Sequence, residues 1–316
     1  MTKPLLKPLI EQRADPFIWK HTDGSYYFTA SIPLYDGIEL RRAETISGLV
    51  EAEARIIWKK PDAGPWSELI WAPEVHHLDG CWYIYFAASH TREIKDGLFQ
   101  HRMYAIACRD KDPMAGKWEG PVRIDSGLDT FCLDATVFRQ GDALYYLWAQ
   151  KHPDIEGNSN LYLARMKDPL NLETAPVMLS KPEYNWETRG FSVNEGPGIL
   201  RHGARIFITY SASATDENYA VGLLWADANA NLLDPESWSK SREPVFRSCP
   251  EHRVYGPGHN SFTRSEDGQE DVLVYHARTY TEIVGDPLWD PNRHTFVKRV
   301  QWSEDGFPDF GRPSEA

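Results

Sequence analysis

Three acidic residues at matching positions of the chain are the first candidates for chemistry. Asp15, Asp134 and Glu195 lie 9, 7 and 8 residues before the glycine of a predicted tight turn. Trp71 and His259 each lie 9 residues before such a glycine. Carboxyl groups around one cavity can donate and accept protons, whereas like charges packed together without such a use destabilise a fold. We therefore predict that these positions form a functional site.

The turns that follow these residues divide the chain into five similar copies. The turn glycines are separated by 56, 61, 62 and 65 residues, and a strand-like apolar run follows each of them. Such a period is typical of radially repeated sheets. The sequence predicts an all-β, five-bladed β-propeller with four-stranded antiparallel blades, formed as a single domain over residues 1–316. The first strand of each copy would be innermost, so the five candidate residues would face one central funnel.

Composition favours a neutral ligand over a polyanion. The chain has 316 residues, 12 tryptophans and a net charge of −12, which makes nucleic acid and anionic membranes poor partners. An acidic, aromatic-rich protein suits a ligand that stacks on rings, such as a sugar, although ordinary solubility would explain the charge equally well. The four cysteines form no C-x-x-C pair and are predicted to be buried free thiols.

The first ten residues contain no long apolar run. The sequence therefore predicts neither a signal peptide nor a membrane span. This favours a cytoplasmic location, unless a secretion signal has been removed.

The segment around Glu195 has the local form of a binding turn. Gly196 and Gly198 leave no side chain beside the carboxylate, so another molecule can approach closely, and Pro197 stiffens the turn. A strand-entry turn with an exposed glutamate would have the same local sequence. The repeat, which brings the other acids to the same funnel, favours the functional interpretation.

Six short motifs carry a resemblance to a known family. They are R-A-D-P at 13–16, W-A-P-E-V at 71–75, L-D-A at 133–135, N-E-G-P at 194–197, G-H-N at 258–260 and Y-H-A-R at 275–278. In this order, the chain from about residue 13 to 302 resembles glycoside hydrolase family 43, the five-bladed propeller arabinofuranosidases and xylosidases.

The resemblance implies a role for each acid. Asp15 would be the general base that activates a water, and Glu195 the general acid that protonates the leaving oxygen. Asp134 would orient that acid and raise its pKa. An acid catalyst must hold its proton near neutral pH, which a close negative charge promotes. Inversion further requires two carboxyls roughly 6.5–9.5 Å apart, with room for the water between them.

Three further roles follow from the resemblance. Trp71 is expected to form a wall against the terminal sugar, or simply to pack in the blade. Arg278 matches a family arginine that hydrogen-bonds the innermost sugar, which is compatible with a salt bridge to a funnel acid. His259 matches a histidine near the axis, where some members hold a calcium ion through waters. Calcium prefers oxygen ligands, so direct coordination is not expected, and a structural histidine bonded to water is an alternative. No cofactor is expected to be required.

The resemblance implies an inverting, exo-acting α-L-arabinofuranosidase that removes terminal arabinose from 1,5-linked arabinan or arabino-oligosaccharides. A β-xylosidase acting on xylo-oligosaccharides is one alternative. A non-catalytic sugar-binding propeller is another, although the three retained acids argue against it. Long insertions at 91–102 and 281–291 predict loops that close the cleft to a pocket, with Trp289 or Phe99 at its rim. A surface or dimer contact would explain these insertions almost as well.

Overall fold

Five antiparallel sheets of consecutive strands form a β-propeller, as the repeat spacing predicts. A computed structural model describes residues 7–313. The fold is all-β, and within that range the helical elements are short 3-10 turns. They are η1 (Ser47–Val50), η2 (Asn185–Glu187), η3 (Pro235–Ser237), η4 (Pro250–His252) and η5 (Pro287–Trp289).

The first three blades run from the innermost strand outwards in chain order. Blade 1 contains β1 (Ala14–Lys20), β2 (Tyr26–Ser31), β3 (Gly37–Ala43) and β4 (Arg55–Lys59). Blade 2 contains β5 (Glu68–Leu78), β6 (Cys81–Ser89), β7 (Arg102–Cys108) and β8 (Trp118–Arg123). Blade 3 contains β9 (Cys132–Gln140), β10 (Ala143–Gln150) and β11 (Asn160–Asp168), with β12 (Asn171–Leu172) and β13 (Val177–Ser180) both pairing with β11.

The last two blades differ in how their outer edges are made. Blade 4 contains β14 (Asn194–His202), β15 (Arg205–Ala212), β16 (Ala220–Asp227) and β17 (Ser239–Lys240). Blade 5 contains β18 (Tyr255–Arg264), β19 (Asp271–Arg278) and β20 (His294–Arg299). A separate hairpin of β21 (Gln301–Trp302) and β22 (Pro308–Asp309) follows. β20 ends at Arg299, and Val300 separates it from this hairpin.

The N-terminal segment closes the ring at blade 5. Ile10 forms an antiparallel bridge with Thr295, and the backbone N–H of Leu9 donates to the Thr295 carbonyl at 2.8 Å. This contact supplies the outer edge that the three strands of blade 5 lack. The first and last parts of the described chain are thereby joined.

The second strand of each blade explains the aromatic runs of the sequence. A strand between two others, with neighbouring blades on both faces, is buried on both sides and reads as a nearly continuous apolar run. All six residues of β2 are buried, and so are Trp82, Tyr146 and Trp148 in the next two blades. The four cysteines are buried free thiols, as predicted. The propeller core is thus built between blades, and the axis is left to polar side chains.

Candidate active site

The innermost strand of every blade is interrupted where it reaches the funnel. In each blade a residue at the equivalent position has a left-handed backbone, with φ between 40° and 54°, and the pairing register breaks around it. These residues are Asp15, Ala72, Asp134, Gly196 and His259. A left-handed conformation costs a non-glycine residue about 1–3 kcal/mol, and such strain concentrates at functional sites. The five-fold bulge aims the side chains of the inner strands into the funnel.

The bulge corrects the alignment of the copies. Asp15, Asp134 and His259 occupy the left-handed position itself, whereas Trp71 and Glu195 are the residues immediately before it. Counting back from the turn glycines instead places all five residues at about the same position of their copies. Gly196 takes the left-handed position in blade 4, where a Cβ atom would lie 3.0 Å from the His259 ring. Glycine there leaves the funnel open beside Glu195.

A pocket of about 360 Å³ brings most of the predicted residues together. Asp15, Trp71, Asp134, Glu195 and His259 all line it. Asp15 and Asp134 are almost fully buried, at 7% and 5% exposure, and Glu195 is half-buried. The sequence therefore identified five residues of one cavity.

Asp15 is held in its ionised form. Its Oδ2 accepts a hydrogen bond of 2.6 Å from Ser31 Oγ, and its Oδ1 lies 3.2 Å from Arg293 Nη1. Burial raises the pKa of Asp15, but the adjacent Arg293 guanidinium outweighs that effect and holds the pKa well below its ordinary value. Asp15 can therefore accept a proton at neutral pH.

A neutral histidine fixes the backbone of Asp15. The Asp15 N–H donates to Nδ1 of His276 at 3.1 Å, so that nitrogen is the acceptor and the proton lies on Nε2. Burial lowers the pKa of His276 to about 3. The 3.2 Å approach of the same Nδ1 to Asp15 Oδ1 is therefore a contact between the ring and the carboxylate, without a proton to share.

The pKa of Glu195 is shifted in the opposite direction to that of Asp15. Burial, together with the charge of Asp15, raises the pKa of Glu195 to about 7, although a hydrogen bond from Tyr219 acts in the other direction. The Tyr219 hydroxyl donates to Glu195 Oε1 at 2.8 Å. Two carboxyls of one pocket with pKa values moved apart can divide the work of base and acid.

Asp134 holds the backbone next to Glu195. Its Oδ2 accepts a hydrogen bond of 3.1 Å from the N–H of Gly196. Burial and the charges of Glu195 and Asp15 raise the pKa of Asp134 well above its ordinary value. The contact fixes the chain at the base of Glu195, which is the geometry that an orienting role needs.

His259 lies between two acids. Its Nδ1 is 3.4 Å from Asp15 Oδ1 and 3.5 Å from Asp134 Oδ2, and its backbone N–H donates to Ser211 Oγ at 2.7 Å. In residues 7–313 no group of three or more histidine, cysteine, aspartate or glutamate side chains is arranged to hold a metal. These side chains do not fit a calcium ion with several protein ligands, and an ion held through waters stays a prediction.

The arginine that reaches Asp15 is Arg293, which the sequence reasoning did not identify. Arg278 does not line the pocket. Its Nη1 donates to the carbonyl of Thr215 and its Nη2 to that of Pro287, at 2.7 Å for the second. Its guanidinium thus ties blade 4 to the loop of blade 5, and its contact with sugar stays a prediction.

The two long loops form part of the pocket wall. Leu98 and Phe99 from the blade 2 loop, and Asp286 and Leu288 from the blade 5 loop, all line the cavity. The loops meet where the Arg92 guanidinium lies over the Trp289 ring, 5.6 Å from its centroid.

Trp71 is held firmly at this wall. It stacks on His101 with ring centroids 3.7 Å apart and packs edge-on against Phe99 at 5.1 Å. Trp71 is thus both packed in the blade and presented to the pocket.

A propeller that gathers carboxyls of opposed pKa in one pocket has the arrangement expected of a glycoside hydrolase. The model of the family described as "Glycosyl hydrolases family 43" matches residues 5–308, and the chain belongs to that family.

Several relatives and one solved structure are similar over nearly the whole chain. The "Extracellular exo-alpha-(1->5)-L-arabinofuranosidase" of Streptomyces avermitilis is 48% identical over 306 residues, which is 97% of this chain and 63% of the relative. The protein of the same name from Streptomyces chartreusis is 49% identical over 284 residues, covering 90% of this chain and 85% of the relative. The crystal structure of an alpha-L-arabinofuranosidase from Lactobacillus brevis is 58% identical, with a TM-score of 0.95 and coverage of 99% and 98% of the two chains.

The chain spans less than two thirds of the Streptomyces avermitilis protein. Both Streptomyces relatives are named extracellular, which does not support the predicted cytoplasmic location. The prediction that there is no signal peptide rested on the first ten residues. Of these, residues 1–6 lie outside the described residues. Across 7–313, no helix is long and apolar enough to cross a membrane.

Proposed function

We propose that this protein is an inverting, exo-acting α-L-arabinofuranosidase that removes terminal arabinose from 1,5-linked arabinan or arabino-oligosaccharides. The observation that carries the proposal is the pair of carboxyls in one pocket with opposed tendencies, Asp15 ionised and Glu195 with a pKa of about 7. The names of the two Streptomyces relatives supply the sugar and the linkage.

Each residue has one step in the proposed reaction. Asp15 accepts a proton from a water as that water attacks the anomeric carbon, while Glu195 gives its proton to the departing oxygen. Arg293 keeps Asp15 ionised beforehand. Tyr219 donates to the Glu195 carboxylate that remains after proton transfer. Water adds at one face as the leaving group departs from the other, so the anomeric configuration inverts.

The loops support an exo mode of action. An exo enzyme needs a cleft that is closed at one end, so that only a terminal sugar reaches the acids. Leu98 and Phe99 on one side and Leu288 on the other wall the pocket, and the Arg92–Trp289 contact joins their loops. We therefore expect the pocket to admit the end of a polysaccharide chain and not its interior.

A product time course on linear arabinan tests the proposal. Monosaccharide should appear from the first minutes, with little early fall in viscosity, and among nitrophenyl glycosides of arabinose, xylose and galactose the α-L-arabinofuranoside should be preferred. Early oligosaccharides of mixed length would indicate an open groove. Preference for the xyloside would favour a β-xylosidase, and no release from any substrate would favour a sugar-binding propeller.

A further inference from the structure

A buried carboxylate outside the pocket lies beside the strand of the general acid. Glu187, the last residue of η2, is 0% exposed, and both of its carboxylate oxygens accept hydrogen bonds. Its Oε2 accepts from the backbone N–H groups of Glu183 and Tyr184, each at 2.8 Å, and its Oε1 accepts from the Tyr210 hydroxyl at 2.9 Å. The Lys240 ammonium lies 2.8 Å from Oε1. Because a buried charge is tolerated only when it is paired and hydrogen-bonded, these partners keep the carboxylate in one position.

The same carboxylate holds the residue that precedes the general acid. The side-chain amide of Asn194 donates through Nδ2 to Glu187 Oε1 at 3.0 Å. Asn194 is 0% exposed and begins β14, and the next residue is Glu195, whose side chain lines the pocket. Successive residues of a strand point to opposite faces. The hydrogen bond to Glu187 on one face therefore fixes the backbone from which Glu195 points into the pocket on the other.

Every polar group of Asn194 has a partner. Besides the bond to Glu187, its Oδ1 accepts from Ser180 Oγ at 2.6 Å. Its backbone N–H donates to the Ser159 carbonyl at 3.0 Å, and its own carbonyl accepts from Ser159 Oγ at 3.3 Å. In a buried network of this kind the asparagine cannot turn without leaving a polar group unpaired, which costs about 1–3 kcal/mol. The network therefore permits one orientation of the chain at the start of β14.

We propose that Glu187 and Asn194 are positioning residues for the general acid, which hold the backbone of Glu195 so that its carboxyl meets the leaving oxygen. The inference rests on the proposed function, because it explains how Glu195 is aimed. Asp134 supports the chain on the other side of the acid, through the N–H of Gly196. A proton donor must lie within hydrogen-bond reach of the atom that it protonates, and a misplacement of about 1 Å can cost roughly 10²-fold in rate.

Glu187→Gln should misplace the acid without removing it. The amide keeps the size of the side chain but replaces one oxygen with a donor. One oxygen of Glu187 faces the Asn194 amide and the other faces two backbone N–H groups, so a donor meets a donor whichever way the new amide turns. We expect kcat on arabino-oligosaccharide to fall roughly 10–10²-fold, and kcat on the nitrophenyl α-L-arabinofuranoside to fall by about threefold or less, because a nitrophenolate departs with little help from the acid.

Exchanging the two groups gives the decisive comparison. Asn194→Asp alone places a second carboxylate against Glu187, and like charges in contact repel, so the ratio of oligosaccharide to nitrophenyl kcat should again fall. When Asn194→Asp is combined with Glu187→Gln, the introduced amide can donate to the introduced carboxylate. The hydrogen bond returns with donor and acceptor exchanged, and the net charge of the network is kept. The ratio should then recover to within about threefold of the wild-type value.

Glu39→Gln is the matched control. Glu39 is also a buried carboxylate, 3% exposed, and it accepts from Arg13 Nε at 3.1 Å and from Arg41 Nε at 2.8 Å in blade 1, outside the pocket. Loss of this charge should lower Tm, as loss of the Glu187 charge should, because each leaves a buried cation without its partner. The ratio of the two substrates should stay at the wild-type value.

The outcomes distinguish this inference from the proposed function. Equal losses on both substrates in Glu187→Gln, with no recovery in the combined variant, would leave these residues a role in stability alone and overturn the inference. If Glu187→Gln does not fold, Asn194→Ala supplies the same ratio, because it leaves Glu187 paired with Lys240. An unchanged ratio in that variant would also overturn the inference. Failure of the wild-type protein to cleave any arabinofuranoside would refute the proposed function, and this inference with it.

Discussion

The hydroxyl of Tyr219 donates a 2.8 Å hydrogen bond to Oε1 of Glu195. Burial raises the pKa of Tyr219 well above its ordinary value, so the tyrosine keeps its proton and acts as the donor. Its ring stacks on His276 at 5.6 Å and lies so close to Gly258 that a side chain there would collide with it. The tyrosine is therefore fixed in place and stabilises the charged form of the acid.

Tyr219→Phe should move the basic limb of the pH profile of kcat/KM to higher pH. The basic limb reports loss of the Glu195 proton, near pH 7 in the free protein. Removing a donor to the carboxylate disfavours its charged form, so the pKa of Glu195 rises. A hydrogen bond to a charged group contributes about 1.5–3 kcal/mol, which corresponds to a shift of roughly one unit or more. A limb that stays in place or moves to lower pH would contradict the assignment of the donor.

Arg293→Gln should move the acidic limb of the same profile to higher pH. The Arg293 guanidinium, 3.2 Å from Asp15 Oδ1, holds the pKa of that carboxyl down against burial. Without the positive charge the pKa of Asp15 rises, by roughly one to three units for a neighbouring charge of this kind. The acidic limb of the variant should therefore lie closer to the basic limb, so that the pH range of high kcat/KM is narrower.

Arg278→Gln is the matched control for that experiment. Arg278 is also a buried arginine of blade 5, but its guanidinium donates to the carbonyls of Thr215 and Pro287 and contacts Asp290 at 3.7 Å. Its loss should raise KM by loosening the blade 5 loop and should leave the acidic limb where it is. Equal shifts of the acidic limb in both variants would remove the distinction between the two arginines.

Replacing each acid with alanine should separate their roles by leaving group. Glu195→Ala removes protonation of the leaving oxygen, which a nitrophenolate hardly needs, so the loss should be far larger on arabino-oligosaccharide, by roughly 10²–10⁴-fold. Asp15→Ala removes activation of the water, which every substrate requires, so kcat should collapse on both. Parallel losses on both substrates in both variants would mean that the acids do not have distinct roles.

The sequence predicted the propeller and the acids because both depend on local patterns. Blade length fixes the spacing of Gly24, Gly80, Gly141, Gly203 and Gly268, and fully buried second strands must read as apolar runs. The acids lie on the first strand of a copy, so the repeat alone brings them to the axis. The one-residue offset of Trp71 and Glu195 was missed because a left-handed bulge leaves no mark in a count of residues.

The partners of the acids could not be read from local patterns. Tyr219 and Arg293 immediately precede the third strands of their blades, β16 and β20, as His101 precedes β7. These residues meet the inner strands only because the blades converge, at separations of 24 residues for Tyr219 and Glu195 and 278 for Arg293 and Asp15. Arg278 was predicted because it belongs to the Y-H-A-R motif, yet its guanidinium donates to two backbone carbonyls. The shared position before the third strand is the signal that would have found Tyr219 and Arg293.

The anomeric configuration of the first product tests the division between Asp15 and Glu195 most directly. Proton NMR during the first minutes of hydrolysis of an α-L-arabinofuranoside, before mutarotation, should show the β anomer, because a water activated by Asp15 attacks the face opposite the leaving group. Initial release of the α anomer would require a covalent intermediate on Asp15, and the account of Asp15 as a base held ionised by Arg293 would have to be abandoned.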